Sequence, residues 1–337
     1  MDPNVVLPLL SSVASFLFGA LVFAQWLQRR RSFQLVWAIG LLWYGISAGT
    51  EFVGSAFGWS EPLYRTWYLI GAFFVAAYLG MGTVYLLAKT RFGYFVAATL
   101  LLGGLFGLSI RGRYPEAGEL GLTVILFSIL AATLVATTTW LRRDWSGHVT
   151  MAILALGSVG VAYLTLTAQL AAPGWAVDPV THVPVGTAIP GAVRVLAAPF
   201  NIAGAFALVF GALFSAYVFM PKNKVMRGRT LPPVVAQLYG LVAVVVNFFA
   251  SIPRAVAAGK RGELHSRVPA TLLIAIGGFI PGVTSGLNRF GFTWAFFLGE
   301  LLGVLFIFAG FLVSREVFAS RARPERTPAL RGEATSA

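Results

Sequence analysis

The stretch WAIGLLWYGISAGTEFVGSAFGWSEPLYR, residues Trp37–Arg65, decides the class of this chain. From Trp37 to Gly58 it holds one charged residue, Glu51, and it is long enough to cross a hydrocarbon core of about 30 Å at about 1.5 Å per residue. The sequence around Pro62 then turns the chain back. A carboxylate inside such a helix costs a few kcal/mol at least, so it reads as paired or functional rather than incidental.

Similar runs recur along nearly the whole chain. They lie at about Val5–Leu27, Phe33–Gly58, Tyr64–Ala88, Phe92–Ile110, Leu120–Leu141, Val149–Ala171, Gly191–Met220, Val234–Ile252, Val268–Leu287 and Gly291–Ser314. With 58% apolar and 11% charged residues and a mean hydropathy of +0.80, the 337 residues read as an all-α, polytopic transmembrane bundle of nine to ten segments with no soluble domain. The organisation divides into a seven-helix bundle over 1–220, a basic cytoplasmic linker over 221–233, three further apolar segments over 234–314 and a disordered basic tail over 315–337.

Lys and Arg assign the sides. The loops after the first, third, fifth and seventh runs hold 11 of them, and those after the second, fourth and sixth hold 3. The positive-inside rule then puts the N-terminus outside and Lys222–Arg229 in the cytoplasm. If all three late runs crossed, Arg254, Lys260, Arg261, Arg267 and the basic tail would face outward. The reading that satisfies the rule has nine crossings, with Val234–Ile252 re-entrant or interfacial.

The net charge of +13 sits in short clusters between apolar runs, where it suits anionic lipid headgroups and not nucleic acid. No cysteine is present, which excludes disulfides, thiolate metal sites and Cys nucleophiles. None of His148, His182 and His265 lies within an expected span, and no lysine lies deep in one. Patterns GxxxxGK[ST], HExxH and GxSxG are absent. Gly282-Val283-Thr284-Ser285-Gly286 lacks a later histidine to activate Ser285. The chain therefore reads as non-enzymatic, with no catalytic residues, metal site or cofactor.

Within the spans the ionisable residues reduce to Glu51 and Glu300, accompanied by Gln169, Asn201, Asn247 and Ser47. Ser47 and Ser55 stand four residues either side of Glu51, on its own helix face. Arg65 and Arg194 open later spans from the outer side and can snorkel inward toward Glu51. Together with Asp178 and His182 on the longest outer loop, these residues are expected to line an outward-facing polar pocket closed inward by Trp43 and Tyr44. A plain ion pair beneath the outer surface carries equal weight. Glu300 is expected to face the interior, with Asn247 or Arg289 as partner, and to be protonated if neither is close.

Three features carry a family resemblance over residues 5–220: Arg29-Arg30-Arg31 after the first run, the Trp37/Trp43 helix with Glu51 near its outer end, and Arg65-Thr66-Trp67 opening the third. In these the chain resembles the seven-helix membrane sensor region at the head of some bacterial histidine kinases. Such sensors continue into a cytoplasmic output domain, whereas here three apolar runs follow, so the resemblance implies a separate partner subunit. The leading expectation is a sensory or ligand-binding module in a prokaryotic cytoplasmic membrane, the Arg-rich basic set suggesting such a source. Alternatives are a secondary transporter or channel with Glu51 or Glu300 as coupling carboxylate, and a structural subunit of a membrane complex.

Overall fold

A computed structural model describes residues 2–110, 112, 120–171, 174–177, 188–227, 233–288 and 292–314. The disordered tail expected over 315–337 lies outside them. Ten helices long and apolar enough to cross a membrane make up the described chain, with no strand among the described residues. They are α1 (Pro3–Arg29), α2 (Ser32–Phe57), α3 (Glu61–Leu87), α4 (Phe92–Ile110), α5 (Leu120–Leu141), α6 (Arg143–Thr167), α7 (Gly191–Phe219), α8 (Pro233–Lys260), α9 (Arg267–Asn288) and α10 (Thr293–Val313). The chain is a multi-pass, all-α helical membrane bundle, as its composition requires.

Local chemistry starts and stops these helices where the apolar runs allow. Asp2 caps α1, its carboxylate accepting from the Asn4 N–H at 2.9 Å, with Pro3 pre-set for the first turn. Arg30 ends α1 in the left-handed region (φ 52°), its N–H donating to the Trp26 carbonyl and its guanidinium 4.7 Å from the Trp26 ring centre. Inside α3 the regular helix Glu61–Leu69 gives way to a π-helical turn, Ile70–Phe74, before Val75–Leu87. Asn201 Nδ2 donates to the Ala72 carbonyl in that turn at 2.7 Å, supplying a partner where the helical ladder shifts.

α3 sits at the centre, packed on α2 along one side and on α7 along another. α1 flanks α2 and α10, α4 packs on α5 and α7, and α9 joins α10 to α7. Helix backbones touch where side chains vanish: a Cβ on Gly80 would strike the Gly204 carbonyl, and one on Gly204 would strike the backbone of Ala76. Gly277 and Gly303 do the same between α9 and α10. In lipid, such close approach is what holds helices together.

α9 begins beside the end of α7. Arg267, at the start of α9, stacks on Phe219 at the end of α7, and Gly278 meets Leu208, so α9 runs antiparallel to α7 from the same end. A helix that crossed between them would have left α9 at the opposite end. α8 instead lies against the basic segment that follows α7. Asn247 exchanges two hydrogen bonds with the Met226 backbone, Ser251 accepts from Asn223 N–H, and Arg254 donates to the Lys222 carbonyl. The charges of that segment are costly in hydrocarbon, which suits the expected interfacial placement of α8. Val242, Val245, Phe249, Ile252 and Val256 form an exposed apolar stripe suited to the acyl boundary. α8 is continuous through Pro253, with no reversal. It outruns the expected Ile252 because Ala255 and Ala258 continue its burial.

An impermeant thiol reagent tests this arrangement on the cysteine-free chain. A cysteine at Ser60 should be labelled from outside in intact cells, and one at Ser266 only after permeabilisation.

Candidate functional site

Glu51 is six residues from the end of α2 and Trp67 is six from the start of α3. Glu300 is seven from the start of α10. At about 1.5 Å per residue all three therefore lie about 9–11 Å from the helix ends at one and the same end of the bundle. The tertiary structure brings them together. Trp67 Nε1 donates to Glu51 Oε1 at 2.7 Å. The Glu51 and Glu300 carboxyl groups lie within hydrogen-bonding reach of each other, and Tyr44, two turns inward on α2, donates its hydroxyl to the Glu300 carbonyl at 2.8 Å. Glu51 is 1% exposed. The second oxygen of each carboxyl, and the Ser55 hydroxyl one turn from Glu51, are buried without a protein hydrogen-bond partner.

Aromatic rings close over this centre. The Trp59 ring lies against Gly54, and it meets Trp67 edge-on with ring centres 5.9 Å apart; Tyr64 packs on Trp67 at the same separation. One turn along the same face of α3, Gly71 lets the Ser47 hydroxyl of α2 approach within 3.1 Å of where a Cβ would stand.

The expected partners of Glu51 are elsewhere. Arg65 is bridged to Glu61 at 2.8 Å and donates to the carbonyls of Thr165 and Ala168, which end α6. An open carbonyl terminus and a nearby carboxylate on its own helix hold the guanidinium better than a partner deeper in the bilayer. Arg194 lies near enough to Tyr64 to act on it electrostatically, and neither ion pair among the described residues includes Glu51. The expected Glu51–arginine pair is thus replaced by a carboxyl–carboxyl contact. Asn247 serves the basic segment after α7 and not Glu300, because α8 lies at the other end of the bundle. Asn201 serves the π-turn, and Gln169 is exposed just beyond α6. Asp178, His182 and Arg289 lie outside the described residues, and among those described no three metal-ligating side chains converge.

A second feature escaped the sequence reading. A cavity of about 550 Å³ lies between α3, α4, α5, α6 and α7, at the middle depth of the bundle. Its walls are almost wholly apolar, with Ser128 and Thr150 the hydroxyl exceptions, and Thr150 is satisfied by the Ser146 carbonyl. Gly157, Gly160, Ala203 and Gly204 line it, and their small size leaves the space. Those residues were visible in the sequence, but lipid-facing and cavity-facing small residues look alike there. Phe127, Leu130 and Leu156 line the cavity and are also exposed on the surface of the bundle, so it opens sideways between α5 and α6.

No family model matches this chain, and no curated protein or solved structure matches it.

Trp67→Phe keeps the ring packing and removes the donor to Glu51. Leaving a buried carboxyl oxygen unpaired should cost about 1–3 kcal/mol, while Tyr44→Phe, which frees a backbone carbonyl, should cost nearer ~1 kcal/mol. Thermal unfolding of the two variants in detergent checks the order.

Proposed function

We propose that this protein is a ligand-binding sensory module of a prokaryotic cytoplasmic membrane, and that its ligand is an apolar chain taken from the bilayer, such as a lipid acyl tail. The cavity between α3 and α7 carries this reading. Its volume lies within the range of small-molecule sites, about 300–1,000 Å³, and apolar walls reward an apolar occupant. Its side opening, between exposed leucines and phenylalanine of α5 and α6, faces where lipid tails lie.

α3 lines the cavity with Ala77, Gly80, Met81 and Val84 and also carries Trp67, the donor to Glu51. An occupant that shifts α3 would be felt at the aromatic layer, and the π-turn between the two regions is where a helix yields. This replaces the polar pocket expected from sequence with an apolar one, and keeps the sensory role that the histidine-kinase resemblance implies. The signal passes to a protein partner, while the basic cytoplasmic loops hold anionic headgroups.

Photo-crosslinking with a diazirine fatty acid tests it. Label should concentrate on α5 and α6, and Ala131→Phe combined with Ala203→Phe should cut it about tenfold, equivalent to about 1.4 kcal/mol of binding. Undiminished labelling of a variant that still melts like the parent protein would show that the cavity is not the site.

A further inference from the structure

We propose that Glu51 and Glu300 form a binding site for one exchangeable monocation, a proton or an alkali ion, at the junction of α2 and α10. It is independent of the apolar cavity. An ionised carboxylate only accepts hydrogen bonds, so two carboxyl groups in contact attract each other only with a positive charge between them. No described residue is paired with either carboxyl group to supply that charge. Trp67, the donor to Glu51, is neutral, and Arg65 is engaged by Glu61 and the end of α6.

Facing the pair from α2 is Tyr44, whose hydroxyl is committed to a carbonyl. α3 offers Glu61, Tyr64 and Arg65 nearer the outer surface. α1 has no ionisable residue between its cap Asp2 and Arg29, α9 has none between Arg267 and Asn288, and α10 has only Glu300 itself. Arg289 lies outside the described residues. With no cation on the described residues that pack against the pair, the monocation of this proposal is drawn from solution.

The built site contains three oxygens that lack a protein partner: Glu51 Oε2, Glu300 Oε2 and Ser55 Oγ. Glu51 is fully enclosed, so these are not atoms satisfied by bulk water. Two oxygens suffice for a proton. Three, with waters, begin the oxygen shell of an alkali ion. Gly54, three residues nearer the outer end than Glu51, is covered by the Trp59 ring, which makes the aromatic layer the barrier that exchange with the outer aqueous phase must cross. Removal of the charge leaves two carboxylates in contact, which pushes α10 from α2. Occupancy thus sets how α10 is seated on the first seven helices. It also gives the transport alternative its coupling centre, one shared by both glutamates.

The experiment uses the full chain in nanodiscs, with Glu51→Gln, Glu300→Gln and the double variant beside it. In infrared spectra the parent protein should show the carbonyl band of a protonated carboxylic acid. Raising the pH should remove that band and lower the melting temperature together. Each single variant should lack the band and melt independently of pH, because the amide N–H of Gln takes the place of the proton in bonding the remaining carboxylate. Sodium or lithium chloride, compared with N-methylglucamine chloride, separates the occupants at high pH. Restoration of the parent melting temperature by an alkali ion, absent in the Gln variants, identifies an alkali-binding site; no restoration leaves the proton as the occupant. A parent protein without the band at any pH, a band that survives in both single variants, or pH-dependent melting that persists in the double variant overturns the proposal.

Discussion

The contact between Gly80 and Gly204 supports the rest of the architecture. Apolar side chains gain nothing by leaving lipid for one another, so helices in a bilayer associate through close packing, and two backbones that touch make the most of it. Here that contact clamps α3 to α7. With α3 fixed, its outer segment presents Trp67 to Glu51 on α2, and its inner segment forms a wall of the cavity. The π-turn between them takes up the change of register that these two tasks require, and Asn201 of α7 steadies it.

Most polar groups in the bundle are satisfied within their own helix. Ser15, Thr139, Thr150 and Ser251 each donate to the carbonyl four residues back, the usual solution where water is absent. Against that background the unsatisfied atoms of Glu51, Glu300 and Ser55 are informative, because a buried polar group without a partner carries a cost that packing alone does not repay. The two glutamate oxygens lie at one depth and Ser55 about one turn nearer the end of α2, beside one set of aromatic rings. The arrangement joins α10 to α2, which lies more than two hundred residues earlier in the chain.

Amphipathic α8 shows how a sequence rule and a structure can be reconciled. Length and apolarity alone qualify it as a span. Its neighbours favour the interfacial reading, since Lys222, Met226 and Asn223 bind it along the face bearing Asn247, Ser251 and Arg254. The positive-inside rule pointed the same way because basic residues on both sides of α8 resist translocation.

What the sequence determined by itself was the set of helices. α4 and α5 begin and end where their apolar runs do, because hydrocarbon demands a helix wherever about twenty apolar residues occur together. It also singled out Glu51 and Glu300, since charges are rare enough in such runs to stand out. Only the tertiary structure decided their partners. Sequence reasoning sought opposite charges, found Arg65 and Arg194, and could not see that helix-end carbonyls and Glu61 would occupy Arg65 or that α10 would place Glu300 beside Glu51. The equal depths of the two glutamates were the one readable signal, and depth fixes height in the bilayer but not which helices are neighbours. Nor could the cavity be read, because a void is a property of facing surfaces, and no single helix carries it.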